Sequence, residues 1–256
     1  MTLSNLFNPI NSQKLLGFDD KFNFLVNLEL NEKLPKVILF SGEKGLGKST
    51  FVHHFMHYFF DKDNYDISSK AFPEKSNFHS QYKNNLFSNI LYLHGANFSN
   101  TKVEDVRILK ENLLKTPILK EKRFIILDDV DRFNLNSLNA LLKIIEEPNI
   151  NNYFILINNK SKILLDTIRS RCLEIKILFN NEKRNKIISS LLKIFDQKNF
   201  LDINLVKISP GDYIKFNYFF LENKISLDED FINNFKIILN FYKKEKDPYY
   251  KNILTF

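Results

Sequence analysis

Cysteine occurs once in this chain of 256 residues, as Cys172. A lone thiol excludes an internal disulfide and any zinc site built from several cysteines, so no zinc is expected. It also fits a reducing, cytoplasmic setting. No run of about 18 apolar residues occurs, so no membrane-spanning helix is expected. The segment Met1-Thr2-Leu3-Ser4-Asn5-Leu6-Phe7-Asn8 lacks a basic stretch followed by an apolar one, so no signal peptide is expected. Charge of one sign is also scarce. The excess of 37 basic over 30 acidic residues gives +7, compatible with nucleic acid but equally with an ordinary solvated surface. Tryptophan is absent, yet 26 phenylalanines and a hydrophobic share of 44% are ample for a core. The length suits one large domain and a small one.

Glycine is scarce too, which makes its distribution informative. Three of the six glycines, Gly42, Gly45 and Gly47, fall in Ser41-Gly42-Glu43-Lys44-Gly45-Leu46-Gly47-Lys48-Ser49-Thr50. This is G-x-x-x-x-G-K-S, a phosphate-binding loop. Glycine admits positive φ and lets main-chain N–H groups approach a phosphate closely. The apolar run Val37-Ile38-Leu39-Phe40 before it reads as a buried strand, and Phe51-Val52-His53-His54-Phe55-Met56 after it reads as a helix. Strand, loop and helix are the context the motif needs. Lys48 would reach the β- and γ-phosphates, Ser49 would hold Mg²⁺ through its hydroxyl, and the helix N-terminus would add partial positive charge. The pattern implies a nucleoside triphosphate site.

Elsewhere, apolar strands and amphipathic helices alternate. Residues 20–31 carry Phe22, Leu25, Val26 and Leu28 at helical spacing; strand 36–41 feeds the loop and helix 48–60 leaves it. Residues 61–88 are polar, contain Pro73 and show no period, so they read as a surface insertion. Ile90–His94, Phe124–Asp128 and Tyr153–Ile157 read as strands. Val103, Val106, Leu109, Leu113 and Leu114 mark a helix. Another, carrying Leu138, Leu141, Leu142 and Ile145, is capped by Asn134 or Asn136 and stopped by Pro148. The alternation predicts an α/β fold, a parallel sheet with helices on both faces. After about residue 178 the pattern turns helical, through Ile187, Ile188, Leu191, Leu192 and Ile194. A second domain therefore starts near 166–180, and 229–245 is a further helix.

Asp128 closes an apolar strand, which puts its carboxylate at the sheet edge where ligands bind in open α/β sheets. From there it can hold Mg²⁺, usually through water. Asp129 reads either as a carboxylate orienting an attacking water or as a turn residue. Asp131 reads as a turn or cap residue on a solvated loop.

Three segments then become specific. Asp128-Asp129-Val130-Asp131-Arg132-Phe133-Asn134, Asn139-Ala140-Leu141-Leu142-Lys143-Ile144-Ile145-Glu146-Glu147-Pro148 and Thr167-Ile168-Arg169-Ser170-Arg171-Cys172 resemble clamp-loader ATPases of the AAA+ class, the delta-prime family of bacterial DNA polymerase III among them. The resemblance spans roughly residues 14 to 215. It implies an AAA+ domain over 1–166, a small helical lid over 167–225 and a short helical C-terminal segment over 226–256, a reduced or truncated collar. It places Gly42, Gly45, Gly47, Lys48, Ser49 and Thr50 on the family's phosphate loop for ATP. Ser49 and Asp128 fall at its Mg²⁺ site, and Asn159 on its γ-phosphate sensor. Arg171 falls on an arginine finger that acts in trans on a neighbour's ATP. Implied partners are homologous clamp-loader subunits, the sliding clamp and primer–template DNA, contacted independently of sequence.

Departures from the pattern suggest a second reading. The family's motor subunits carry Asp-Glu where this chain has Asp128-Asp129, and Ile214 stands at the arginine position after Ser209-Pro210-Gly211, with Lys215 adjacent. A non-hydrolysing structural clamp-loader partner fits these changes, and a stand-alone P-loop ATPase such as a helicase loader is a third reading. Four features read more plainly. His53, His54 and His57 belong to a helix packed on the sheet, without the Glu of the metalloprotease pattern. Cys172 reads as a core thiol. Phe216-Asn217-Tyr218-Phe219-Phe220 reads as helix core, and Tyr242-Lys243-Lys244-Glu245-Lys246 as a solvated helix end.

Overall fold

Alternation of apolar residues along short strands decides which side chains meet. The computed structural model describes residues 6–94, 122–200, 202–204, 207–225 and 231–245. Its strands are β1 Val37–Ser41, β2 Ile90–His94, β3 Arg123–Asp128, β4 Asn152–Asn158 and β5 Leu173–Lys176. They form one sheet in the order β2-β3-β4-β1-β5, with every pairing parallel. Ile38, Phe40, Phe124, Ile126, Ile155 and Ile157 face one buried cluster. Their neighbours Val37, Leu39, Ile125, Leu127, Phe154 and Leu156 face another. A period of two with both faces apolar is what a sheet covered on both sides requires.

Helices α1 Asp19–Leu30 and α2 Lys48–Phe60 fill the first cluster through Phe22, Leu25, Phe51, Val52, Phe55 and Met56. A short helix follows, α3 Asn77–Lys83. Helix α4 Leu135–Glu146 fills the second cluster through Leu138, Leu141 and Ile145, joined by Ile168 of α5 Asp166–Arg169. Of the two candidate caps, Asn134 is the one used: its side chain accepts the Ser137 N–H at 2.8 Å. The helix expected around 103–114 lies outside the described residues.

Two expectations need correction. Residues 61–88 are not an irregular surface insertion. Ser76 caps α3 by accepting the His79 N–H at 2.9 Å, and Tyr65, Phe72, Phe78 and Tyr82 are buried against α2. The segment is also stitched to the N-terminal stretch, through Leu15 N–H to the Lys70 carbonyl and Phe72 N–H to the Gln13 carbonyl. A few aromatic anchors outweigh the polar residues between them, because one buried aromatic removes 150–250 Å² from water. The sheet also gains β5, an edge strand that buries Ile175 and exposes Lys176, too short to show as an apolar run.

Contacts divide the chain into Met1–Asn180 and Asn181–Phe256, at the far end of the 166–180 window rather than at 166/167, because β5 belongs to the sheet. The second unit holds α6 Asn181–Ile194, α7 Pro210–Glu222 and α8 Phe231–Glu245. Its buried side chains include Ile187, Ile188, Leu192, Tyr213, Phe216, Phe219 and Phe220, which makes the Phe-rich stretch helix core. Among the described residues no helix is long and apolar enough to cross a membrane.

Candidate functional site

Parallel strands deliver their C-terminal residues to one edge of the sheet. Ser41 ends β1, Asp128 ends β3 and Asn158 ends β4, so the segments that follow them converge. The glycine-rich turn bends there because its glycines meet conditions no other residue meets. Gly45 and Gly47 have φ of 77° and 84°. A Cβ on Gly42 would stand 2.5 Å from the Ile177 carbonyl oxygen. Helix α2 starts at Lys48 directly behind the turn, with Ser49 and Thr50 in its first turn.

Lys48 is buried, and its Nζ donates to the carbonyls of Gly42 at 2.8 Å and Glu43 at 2.5 Å. Burial lowers its pKa to about 8, against the opposite pull of Asp128, Asp129 and Asp131. Ser49 Oγ donates to Asp128 Oδ2 at 2.7 Å. A hydroxyl and a carboxylate this close form the hard-oxygen pair that magnesium takes, so these residues fit Mg²⁺. Tyr92 of β2 also donates to Asp128 Oδ2, at 2.6 Å, and the Asp129 N–H donates to Oδ1 at 2.8 Å. Burial and the Asp128 charge hold the Tyr92 phenol well above its ordinary pKa, so it remains a donor. Sequence reasoning missed Tyr92. The signal was one phenol inside the apolar strand Ile90-Leu91-Tyr92-Leu93, since a buried tyrosine hydroxyl needs a partner.

The next two carboxylates organise the other side. Asp129 adopts a left-handed conformation, φ 54°, and is buried. Its Oδ1 accepts from the Asn159 side-chain amide, and its Oδ2 lies 3.8 Å from both His94 Nε2 and Arg132 Nε. The structure thus brings Asp129 and Asn159 together. Asp131 is a correction: it is not on a solvated loop but 3% exposed. It accepts the backbone N–H groups of Asn159 at 2.9 Å and Ser161 at 2.7 Å, and also the Ser161 hydroxyl. Burial pushes its pKa up, but these hydrogen bonds outweigh burial and hold it below the carboxylate range. Asp131 therefore fixes the loop that carries Asn159.

Arg171 lies apart, on the surface. Its Nη2 is 2.7 Å from Glu146 Oε1, and its Nη1 donates to the Thr167 carbonyl at 2.8 Å. Neighbouring Arg169 pairs with Asp166 and Glu174, and Glu174 in turn accepts the Ser41 hydroxyl at 2.5 Å. Cys172 is half-buried against the second cluster, and burial lifts its thiol to about 12, too high for a nucleophile at neutral pH. His53, His54 and His57 are buried among aromatic rings, and burial lowers them to about 3, 4 and 2. Among the described residues no group of three or more His, Cys, Asp or Glu side chains is placed to hold a metal ion. Ile214 is buried within the second unit.

A family model described as DNA polymerase III, delta subunit, matches residues 19–181, more than half of the chain. The DNA polymerase III subunit tau/gamma of Haemophilus influenzae is 28% identical over 211 residues, covering 82% of this chain and 30% of the relative. The DNA polymerase III subunit delta' of Buchnera aphidicola from Acyrthosiphon pisum is 28% identical over 188 residues, covering 73% of this chain and 49% of the relative. The chain thus spans less than half the length of either. Among solved structures, domain III of the Thermotoga maritima replication initiation protein DnaA aligns with a TM-score of 0.51 at 15% identity, covering 89% of this chain and 94% of that one. At that identity the likeness concerns the fold alone, an α/β parallel sheet followed by helices.

Proposed function

Because the chain belongs to the DNA polymerase III delta subunit family, we propose that it is an ATP-binding subunit of that polymerase's clamp loader, acting in the cytoplasm. One observation supports the nucleotide reading: Lys48, Ser49 and Asp128 converge behind a turn in which Gly45 and Gly47 adopt positive φ. The amides of the turn and the Lys48 ammonium would hold the triphosphate, and Ser49 with Asp128 would hold Mg²⁺. Magnesium neutralises phosphate charge when bound. Asn159, held by Asp129 and Asp131, would meet the γ-phosphate. Partners would be homologous loader subunits, the sliding clamp and primer–template DNA, with Arg171 acting on a neighbour's nucleotide.

Hydrolysis by this subunit is a separate matter. The Asp129 side chain is one methylene shorter than a glutamate and is engaged by Asn159, with Arg132 and His94 nearby. That engagement favours a subunit that binds ATP and turns it over slowly or not at all. Two measurements test the proposal. The chain should co-purify with the other loader subunits and retain ATP, and Lys48→Ala should abolish retention. Robust ATP hydrolysis by the isolated chain, stimulated by DNA without clamp, would instead support a stand-alone ATPase.

A further inference from the structure

Ser49 and His53 lie four residues apart on α2 and so share a face of that helix. Ser49 donates to Asp128 Oδ2 at 2.7 Å. The His53 ring lies against the Tyr92 ring, with centroids 5.6 Å and planes 20° apart. The Tyr92 hydroxyl returns to the same Asp128 Oδ2 at 2.6 Å. Helix α2 and strands β2 and β3 thereby close a ring of contacts around one carboxylate oxygen. The ring is anchored from behind, where His53 Nδ1 shares a 2.6 Å hydrogen bond with the Tyr82 hydroxyl of α3.

This arrangement separates two kinds of support for Asp128. A serine oxygen that ligates a cation has two tasks, since a lone pair goes to the cation while the O–H still donates to the neighbouring carboxylate. The Tyr92 hydroxyl has no such second task. Its place is set by the backbone of β2, paired with β3 from Ile90 to His94, and by the His53 ring. Groups that hydrogen-bond a ligating carboxylate fix its orientation, and their loss weakens metal affinity by about 10–100-fold. We propose that Tyr92 is a positioning residue for the divalent cation that accompanies the nucleotide, its hydroxyl holding Asp128 in a cation-facing orientation. The role rests on the nucleotide-site reading above.

The test uses the full chain and a fluorescent mant-ADP probe, with magnesium titrated at fixed nucleotide and a parallel titration in EDTA. Wild type, Tyr92→Phe and Lys48→Ala are compared. Tyr92→Phe keeps the ring on His53 and removes only the hydroxyl. Its half-saturating magnesium should rise about tenfold, while its nucleotide affinity in EDTA stays within twofold of wild type. Lys48→Ala should lose the nucleotide in both buffers. Unchanged magnesium dependence in Tyr92→Phe overturns the role of Tyr92 alone. An equal loss of affinity in EDTA and in magnesium overturns it too, since that pattern marks general damage to the site. If wild type binds no nucleotide in either buffer, the nucleotide site itself is refuted and the role of Tyr92 falls with it.

Discussion

The Asp131 carboxylate holds the backbone of Asn159, accepting its N–H at 2.9 Å across 28 positions of sequence. The turn after β3 and the loop after β4 are thereby one object, and the residue expected to sense a γ-phosphate has its backbone fixed by Asp131 and its side-chain amide held by Asp129. Asp131→Ala leaves the N–H groups of Asn159 and Ser161 without the buried carboxylate that accepts them. It should cost about 3 kcal/mol, as does loss of a buried charged partner with several donors. Urea unfolding measures the cost, and a stability unchanged from wild type would show the carboxylate to be dispensable. The acid side follows by sign. The folded pKa lies below the unfolded one, so this contribution is present above the ordinary carboxylate pKa and is lost as pH falls through the depressed folded value.

His53, His54 and His57 make the fold acid-sensitive at a much milder pH. Their folded pKa values of about 3, 4 and 2 lie far below the unfolded value of 6.5. Below pH 6.5 the unfolded chain takes up protons that the folded chain refuses. Stability therefore falls as pH drops from 6.5 toward the folded values, by about 1.4 kcal/mol per pH unit for each histidine at the limiting slope. Thermal or urea unfolding between pH 7.5 and 5.0 should show this loss. His57→Phe, which preserves the stack on Phe72 at 3.6 Å, should remove one proton from the slope. A pH-independent midpoint over that range would contradict the burial of these rings.

On the proposed function, Lys48 should give nucleotide binding an alkaline limit. Its pKa of about 8 lies below the unfolded 10.5, so the charged form is disfavoured by the fold. Between those values the unfolded chain holds more protons, and the Lys48 contribution to stability of the empty protein rises with pH. Affinity for a triphosphate moves the other way, because the phosphates need the ammonium. From pH 7.5 to 9.5 it should fall at least about tenfold, approaching tenfold per unit at the alkaline end. Fluorescent nucleotide titrations across that range check the trend. A flat profile would mean that Lys48 does not carry the charge the phosphates meet.

Much of this architecture could be read from periodicity and punctuation. The runs at 36–41, 90–94, 124–128 and 153–157 are legible as strands because each is short, apolar and bounded by polar or glycine-rich segments. The turn was legible because Gly42, Gly45 and Gly47 stand where backbone conformation and the approach of Ile177 leave no room for a side chain. What stayed hidden depends on contacts far apart in sequence. Asp131 looks like a turn residue until Asn159 and Ser161 are seen beside it. Tyr92 looks like strand filler until its hydroxyl is seen on Asp128. Residues 61–88 look like loop because their anchors, Tyr65, Phe72, Phe78 and Tyr82, are scattered among polar residues and gain meaning only against α2.

Arg171 separates a structural role from a functional one. Its ion pair with Glu146 joins two side chains that are 39% and 43% exposed, and such pairs contribute about 0–1 kcal/mol. Arg171→Ala should therefore leave the unfolding free energy of the isolated chain within ~1 kcal/mol of wild type, and its own nucleotide affinity unchanged. In a reconstituted loader the same variant should lower ATP turnover on the order of a thousandfold at the site it faces, the usual range for an arginine finger. Glu146→Gln, which loosens the pair but keeps the guanidinium, should retain turnover. If Arg171→Ala instead unfolds the chain more easily while turnover and clamp loading persist, the guanidinium serves the Thr167–Glu146 surface. The neighbour's phosphate is then met by another cation, and Arg169, held between Asp166 and Glu174, becomes the next residue to replace.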